Sequence, residues 1–468
     1  MSNEYKNIGI IVAENKEKAK ELALEKFPYL KNGEFKLIQD DDCLDTWFSS
    51  WLWPISVFDG INNPDNEDIK YYYPTNDLVT GPDIIFFWVA RMIMSGYEYR
   101  QEECFKNVYF TGIVRDKFGQ KMSKQKGNSP DPIELINKYG ADGVRMGMLL
   151  SAPAGNDIHF DEALCEQGRN FCNKIWNSLR LVKGWDIVDN TKEDAKISQI
   201  AIMWFDAQLN KTIAETEDFF SKYKLSDALM AIYKLFWDEF SAWYLEIVKP
   251  EYGNPIDKAT YEHTIFFFEE LLKLLHPFMP FITEELYHTL SERKEKDSIM
   301  FAKFTNYEQR IANTNKNDII ISKFETVKEI IAGIRTIRQQ KNISPKESLN
   351  LFVKGFYNID YNELIKKLCN ISEIKIVTEK PANAISYLVG TTEFFVPVEI
   401  NTEEEIAKMQ AEIKYLEGFL KSVIGKLSNE KFVNNAPETV IKTERKKQSD
   451  AEEKIQLLKT QIEELKRC

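Results

Sequence analysis

The period of the apolar positions changes several times along the chain, and each change marks a different kind of element. Up to about residue 160, short apolar runs alternate with helical patterns. The β-branched and aromatic run 108–111 reads as a buried parallel strand, and 84–95 reads as a helix. A basic loop follows Gly112. Ser129-Pro130-Asp131-Pro132 then announces the next helix. From about 162 to 293 the pattern is long, aromatic and helical, with apolar residues three and four apart, as in 170–180, 228–244 and 261–276. A new helix is expected after His276, begun by Thr283 or by the prolines at 277 and 280. The polar stretch 291–318 loosens the chain, and a further helix, 319–341, ends before Ser344-Pro345. Segments 349–356, 373–378 and 393–399 read as strands around a helix at 362–369. The last block is heptad-like: Ile406, Met409, Ile413, Leu416, Leu420, Val423 and Leu427, then Ala451, Ile455, Leu458, Ile462 and Leu465. The stretch from Ser428 to Pro437 breaks it, which predicts an antiparallel helical hairpin. A dimerisation coiled coil is the alternative.

The fold class expected is therefore multidomain, α/β plus all-α. The blocks are a doubly wound α/β part over 1–160, a helical bundle over 161–345, a small α/β module over 346–400 and a coiled-coil arm over 401–468.

Composition adds limits. The chain has 468 residues, 43% of them hydrophobic and 29% charged, as in a globular protein. No apolar run approaches membrane-spanning length, so no membrane partner is expected. The six cysteines are scattered with no Cys-x-x-Cys pair, which argues against structural zinc and for free thiols. The net charge of −12 weighs against nucleic-acid binding by the chain as a whole. It leaves room for local basic patches, of which three stand out: Arg115/Lys117/Lys121/Lys124/Lys126, Arg335/Arg338/Lys341, and Lys442/Arg445/Lys446/Lys447. For each patch a solvated face is the alternative. Arg91 and Arg145 read as structural ion-pair partners. Trp237, Trp243 and Tyr244 read as core in preference to base-stacking platforms.

The segment with most chemical content is Val108-Tyr-Phe-Thr-Gly-Ile-Val-Arg-Asp-Lys-Phe-Gly-Gln-Lys-Met-Ser-Lys-Gln-Lys-Gly-Asn128. A strand feeds a loop in which Lys121 and Lys124 bracket Met122-Ser123, and Gly119 and Gly127 keep that loop mobile. Two ammonium groups so placed suit a polyphosphate whose charge grows during reaction, by electrostatics and without proton transfer. A plain basic surface turn is the competing reading. Gly81 and Asp83 sit between an apolar run and a helix. Gly allows close backbone approach there, and the carboxylate can accept hydrogen bonds from a ribose. An ordinary acidic first helical turn would look the same.

The loop resembles the Lys-Met-Ser-Lys-Ser loop of class I aminoacyl-tRNA synthetases, with Gln125 in place of the last serine. Asp45-Thr-Trp-Phe-Ser-Ser-Trp-Leu-Trp-Pro54 and Val79-Thr-Gly-Pro-Asp-Ile-Ile-Phe-Phe-Trp-Val-Ala-Arg-Met92 resemble the valyl-tRNA synthetase versions of the flanking segments. Tyr139-Gly-Ala-Asp-Gly-Val-Arg145 and Ser151-Ala-Pro-Ala-Gly-Asn-Asp157 continue the match. Isoleucyl enzymes usually read Asp-Val-Trp-Phe-Asp-Ser at the first segment, and leucyl enzymes lack it.

The resemblance implies the distal half of a Rossmann-like catalytic domain, an anticodon-binding bundle and a coiled-coil tRNA-binding arm. It implies valine–tRNA ligase activity, with ATP, Mg²⁺ accompanying the ATP, valine and tRNA-Val as partners, in a cytoplasmic enzyme that is a monomer when intact. It gives Gly81, Asp83, Lys121, Met122, Ser123 and Lys124 to ATP, with Lys121 and Lys124 catalytic. Trp47 and Ile84 become walls of an apolar valine pocket, where ordinary core packing is the alternative. Lys442, Arg445, Lys446 and Lys447 go to tRNA. Two family motifs have no counterpart in this sequence: His-x-Gly-His, and the Arg-Gln-x-Trp-Trp-Gly-His stretch that follows the editing insertion. No segment resembles the editing domain. The chain is expected to be the C-terminal half of such an enzyme, inactive alone. A tRNA-binding module without catalysis is the alternative, and a paralogue that has lost catalysis fits less well with both lysines in place.

Overall fold

A computed structural model describes residues 8–33, 35–152, 155–189, 195–294, 296–304, 314–398, 402–428 and 438–467. It divides into two compact units. One comprises Met1–Pro130, Leu150–Asp161 and Tyr223–Ser226; the other comprises Asp131–Leu149, Glu162–Lys222 and Asp227–Cys468.

The first unit is built on a parallel strand pair, β1 (Thr75–Thr80) and β2 (Phe105–Phe110), in which Leu78 lies opposite Val108. The connection runs through the Ala90–Arg100 helix, which Gln101 ends in the left-handed region at φ 62°. Ile55, Ile69, Tyr73, Leu78, Val89, Met92, Cys104 and Phe105 form the core here. Burial pushes the Cys104 thiol up to about 11 and raises the Tyr73 hydroxyl as well. The predicted helix 84–95 divides into a 3₁₀ turn at Pro82–Ile84, a π-helical stretch at Ile85–Val89 and the α-helix from Ala90. The π stretch changes the angular step between residues, so the simple helical period does not describe the run's exposed face. A second parallel pair joins β3 (Val114–Arg115) to β4 (Ile158–His159). Gly112 is required where this pair begins, since a Cβ there would lie 1.9 Å from the Asn156 carbonyl oxygen.

In the second unit, Asp131 caps the Pro132–Tyr139 helix by accepting from Ile133 N at 2.8 Å, and Gly140 (φ 78°) ends it. The bundle comprises Glu162–Lys183, Ala195–Ser221, Leu225–Lys234, Lys258–Leu275, Pro280–Leu290 and Thr314–Gln340. A π-helical stretch, Leu235–Tyr244, continues the third of these, and two short strands, β5 (Ile187–Val188) and β6 (Ile256–Asp257), pair in parallel against the Lys258–Leu275 helix. The core is aromatic: Trp204, Phe205, Phe236, Phe240, Tyr244, Phe267, Phe268 and Phe324 are all inaccessible. Trp204 stacks on Phe324 at 4.1 Å, and the Tyr244 hydroxyl meets Thr264 Oγ1 at 2.9 Å. Tyr244 is thus core, while Trp237 and Trp243 are half-buried.

The Pro280–Leu290 helix starts at its proline. Thr283 does not cap it; its hydroxyl donates to the Met279 carbonyl at 2.8 Å and lies 2.8 Å from His276 Nδ1. The buried Asp142 carboxylate serves the helix start instead, accepting from Ile282 N at 2.6 Å and Phe281 N at 3.4 Å. Desolvation holds the Asp142 carboxyl above the usual aspartate range. The Arg145 guanidinium donates to the carbonyls of Phe278 (3.0 Å) and Pro277 (3.2 Å), and its charge also acts on the Asp142 carboxylate without a direct ion pair among the described residues.

Beyond the bundle, β7 (Leu349–Lys354), β8 (Ile371–Ile376), β9 (Ala384–Val389) and β10 (Thr392–Pro397) form a sheet in the order β8-β7-β10-β9, with helix Asn362–Cys369 between β7 and β8. β9 is not among the predicted strands. It pairs antiparallel with β10 across a turn at Gly390 (φ 58°). Two long helices, Thr402–Leu427 and Glu438–Arg467, close the chain. Ile413 and Ile455 meet between them, with Leu416 and Leu420 alongside. Contacts from Lys426 to Glu444 and from Lys459 to Glu417, both 3.7 Å, fix the pair as antiparallel. The breaking segment 429–437 and the side chains of Ile406, Met409, Leu458, Ile462 and Leu465 lie outside the described residues, as do Pro153 and Ala154. Among the described residues no helix is long and apolar enough to cross a membrane.

Candidate active site

In a parallel strand pair both chains leave at the same edge, and ligands of open α/β sheets bind beyond that carboxyl edge. β1 leaves into Gly81-Pro82-Asp83-Ile84, and β2 leaves into Thr111-Gly112 and the basic loop. Thr111 N donates to the Thr80 carbonyl at 2.9 Å where the two exits diverge. The segments singled out for phosphate, ribose and side-chain contacts thus arise from adjacent strand ends.

Gly81 has ordinary backbone angles (φ −84°), and a Cβ there would meet only Ile113 Cδ1, at 4.0 Å. The protein's own packing does not require glycine at this position. Asp83 is exposed in the first turn after it and has no side-chain hydrogen bond among the described residues, which leaves its carboxylate open to a ligand.

Trp47 stands on the Thr46–Trp51 helix, capped by Asp45, whose carboxylate accepts from Trp47 N at 2.8 Å. The Phe87 ring meets the Trp47 ring edge-on, with centroids 5.4 Å apart at 69°. The Arg91 guanidinium carbon lies 4.4 Å from the Trp47 centroid. Arg91 is therefore a cation–π partner of the indole, where an ion pair was expected. Ile84 sits in the turn preceding Phe87 and is 37% exposed, so its side chain is not consumed by the core. Trp88 Nε1 donates to Ser50 O at 3.2 Å and ties the two segments together.

In the basic loop Lys121 is exposed and has no carboxylate partner among the described residues. Met122 and Ser123 are half-buried, and Ser123 Oγ accepts from Lys126 N at 3.4 Å. The Lys124 backbone opens a 3₁₀ turn, Lys124–Lys126; its side chain lies outside the described residues. Arg115 does not join the free basic cluster, because its guanidinium pairs with Asp157. That pairing, led by the Arg115 hydrogen bond, holds the Asp157 carboxyl below the usual range.

Two residues absent from the sequence-based site organise this loop: Asp116 and Asn128. Asp116 Oδ1 accepts from Gln120 N (2.8 Å) and Phe118 N (3.0 Å), and its Oδ2 accepts from Asn128 Nδ2 (2.9 Å). Asn128 Oδ1 accepts from Ser123 N (2.9 Å). The available signal was the clustering of turn formers, Asp116, Gly119, Gly127 and Asn128, around the lysines.

Of the other patches, Arg338 is buried and spends its guanidinium on backbone carbonyls, so it is not a surface cation. Arg335 lies 5.3 Å from the Trp243 centroid. On the last helix Lys442, Arg445, Lys446 and Lys447 are exposed; Lys447 also donates to Glu444 at 2.6 Å.

Comparison with known proteins matches three stretches of the chain. Residues 1–161 match tRNA synthetases class I (I, L, M and V), 203–353 match the anticodon-binding domain of tRNA ligase, and 401–466 match the valyl tRNA synthetase tRNA binding arm. A valine–tRNA ligase of Phocaeicola vulgatus is 63% identical over 98% of this chain and 52% of its own length. One from Parabacteroides distasonis is 62% identical over 97% of this chain and 51% of its own length. The chain spans about half the length of the curated relatives it matches. Among solved structures, a Mycobacterium tuberculosis methionyl-tRNA synthetase in complex with methionyl-adenylate aligns at 22% identity with a TM-score of 0.43, over 54% of this chain and 51% of that one. That likeness is too loose to place residues.

Proposed function

We propose, for a chain that belongs to the valine–tRNA ligase family and corresponds to about half of its members' length, that it supplies the phosphate loop, part of the valine pocket and the tRNA-holding parts of an ATP-dependent valine–tRNA ligase. In the reaction a valine carboxylate oxygen attacks the α-phosphorus of Mg-ATP, forming the acyl–phosphate bond of valyl-adenylate and releasing pyrophosphate. A ribose hydroxyl at the tRNA 3′ end then attacks the acyl carbon, forming the ester and releasing AMP.

Lys121 and Lys124 stabilise charge that builds on the phosphates. A single well-placed donor of this kind lowers a barrier by roughly 3–4 kcal/mol. Met122 and Ser123 hold the two lysines at their spacing. Gly81 leaves room for the nucleotide, and Asp83 accepts from its ribose. Trp47, set by Phe87 and Arg91, and Ile84 wall an apolar pocket. Lys442, Arg445, Lys446 and Lys447 face the tRNA from a coiled-coil arm. The observation that carries this reading is the common exit of both candidate segments from the carboxyl edge of β1 and β2.

The same strand pair gives weight to a second reading for the chain by itself. Val79 (59% exposed), Phe86 (82%) and Phe87 (52%) present apolar surface around a sheet of two strands, which calls for further covering structure. The chain alone would then hold tRNA without forming the adenylate.

Valine-dependent ATP–pyrophosphate exchange tests both readings, using the purified chain with and without the N-terminal half of the Phocaeicola vulgatus relative. Exchange that appears only on addition supports the split assignment. Exchange by the chain alone would show that the phosphate-binding residues have been misassigned. Silence in both, with tRNA binding retained, would overturn the catalytic reading in favour of the binding module.

A further inference from the structure

The basic loop is closed at its base by side chains, not only by its turns. Asp116 stands at the start and Asn128 at the end, and Asn128 Nδ2 donates to Asp116 Oδ2 at 2.9 Å. Each residue also grips its own side of the loop. Asp116 Oδ1 receives the N–H groups of Gln120 and Phe118, at 2.8 and 3.0 Å. Asn128 Oδ1 receives the N–H of Ser123 at 2.9 Å, and Nδ2 also reaches the Lys121 carbonyl at 3.4 Å. The amide orientation is fixed by chemistry: Ser123 N–H requires an acceptor and the Asp116 carboxylate requires a donor, so only one of the two flips serves both. The glycines at the bends, Gly119 (φ 79°) and Gly127 (φ 66°), permit the chain reversal but cannot hold it shut. The Asn128 hydrogen bond is the leading cause that keeps the Asp116 carboxyl below its usual range, so the pair is a charge-assisted one.

We infer that Asp116 and Asn128 form a latch that holds the Lys121–Ser123 segment in a preset turn, which makes Asn128 a positioning residue for the lysines. The catalytic part of this inference rests on the function proposed above; the latch itself does not. A preset loop presents its ammonium groups without an ordering cost at the moment charge develops.

The latch can be read without any activity. Lys117, Lys121, Lys124 and Lys126 are trypsin sites inside the loop, and cleavage of a folded chain reports local opening. Asn128→Asp places two carboxylates against each other and should raise the cutting rate within 117–126 about tenfold. The exchanged pair Asp116→Asn with Asn128→Asp restores a donor opposite a carboxylate and leaves acceptors for Ser123, Phe118 and Gln120. It should return the rate to within about threefold of the parent. A parental rate in N128D overturns the latch. So does a fast rate that the exchanged pair fails to lower. In the two-part exchange assay, N128D should lower kcat and leave the valine KM within about twofold, with the exchanged pair again recovering. If the parent shows no exchange at all, the functional reading fails while the cleavage rates still decide the latch.

Discussion

Arg338 separates a structural from a nucleic-acid role for a basic run, and the outcome can be sized. The residue is 6% exposed, and its guanidinium donates to the carbonyls of Ser344, Glu347 and Cys369, each at 2.8 Å, with Asn370 O at 3.3 Å. These carbonyls belong to the turn after the Thr314–Gln340 helix and to the end of the Asn362–Cys369 helix. One side chain therefore holds the start of β7 and the approach to β8 against the long helix. Arg338→Met keeps much of the volume and takes the donor from three carbonyls, of which that of Cys369 is buried and those of Ser344 and Glu347 are part-buried. Charge-assisted hydrogen bonds are worth ~1.5–3 kcal/mol each. Their sum overstates the loss, because carbonyls relax and water enters. The range for removing one partner of a buried charged interaction, roughly 3–5 kcal/mol, is the better guide. Arg338→Lys keeps the charge but loses the planar fork, and should cost about half as much.

Native-state hydrogen exchange read by mass spectrometry is the suitable assay, since a chain of several units has no single unfolding free energy. In R338M, peptides covering β7 and β10 should exchange roughly two to four orders of magnitude faster, at about 1.4 kcal/mol per tenfold. The Glu162–Lys183 helix should stay at the parental rate. The salt dependence of tRNA binding should not change. Parental exchange in β7, together with a salt slope shallower by about 0.7–0.9, would refute the reasoning and return Arg338 to phosphate contact.

Three further outcomes are expected. Ile84→Ala should lower kcat/KM for valine by roughly 10- to 200-fold in the two-part exchange assay and lower that for isoleucine less; equal losses for both would remove Ile84 from the pocket. For Asp142, burial raises the folded-state pKa, so the folded state binds the proton more tightly. The stability it contributes is full below about pH 4 and is lost as pH rises through the raised value. Asp142→Asn should remove that falling limb, and a parent-minus-variant stability that stays flat from pH 4 to 7 would count against it. With a thiol reagent Cys43 should react at once, while Cys104, Cys165, Cys172 and Cys369 wait for denaturant; burial pushes the Cys172 thiol up to about 12 and Cys369 to about 11. Prompt modification of any of those four would contradict their placement.

What could be read in advance follows from the range of the forces involved. Periodicity marked the helices around 170–180, 228–244, 261–276 and 319–341, the β7 and β10 strands and the paired helices at the end, because each depends on local amphipathic spacing; it did not single out the Ala195–Ser221 helix. It missed β9, whose mixed residues Ala384-Ile-Ser-Tyr-Leu-Val389 acquire strand character from pairing with β10. It merged a 3₁₀ turn, a π stretch and an α-helix over 82–100, since all three place apolar residues three to five apart. Asp142 capping a helix that starts at Pro280, and Arg338 reaching Cys369, are contacts across long sequence separations, which single-sequence patterns do not carry. At the candidate site the motif residues were legible. Arg91 on Trp47 and Asn128 on Asp116 were not, because a side chain's partner is set by tertiary position.

The same point decides how an acidic chain can hold an anion. A run of basic residues counts toward phosphate binding only for those charges left unspent. Arg115 is spent on Asp157, Arg338 on carbonyls, Lys447 on Glu444, and Lys442 is engaged within the protein. Among the described residues of the run 442–447 this leaves Arg445 and Lys446 as exposed cations without such a commitment. The run 442–447 should therefore contribute the salt dependence of about two phosphates, not four. Replacing Arg445 and Lys446 together by alanine should lower the slope of log K against log salt by roughly 1.4–1.8. Adding Lys447→Ala should change it little further, because freeing Glu444 offsets the lost cation. A slope that falls by the same step for every basic residue removed would mean that Glu444 gives up Lys447 on binding, and that the unbound helix does not show the charges tRNA meets.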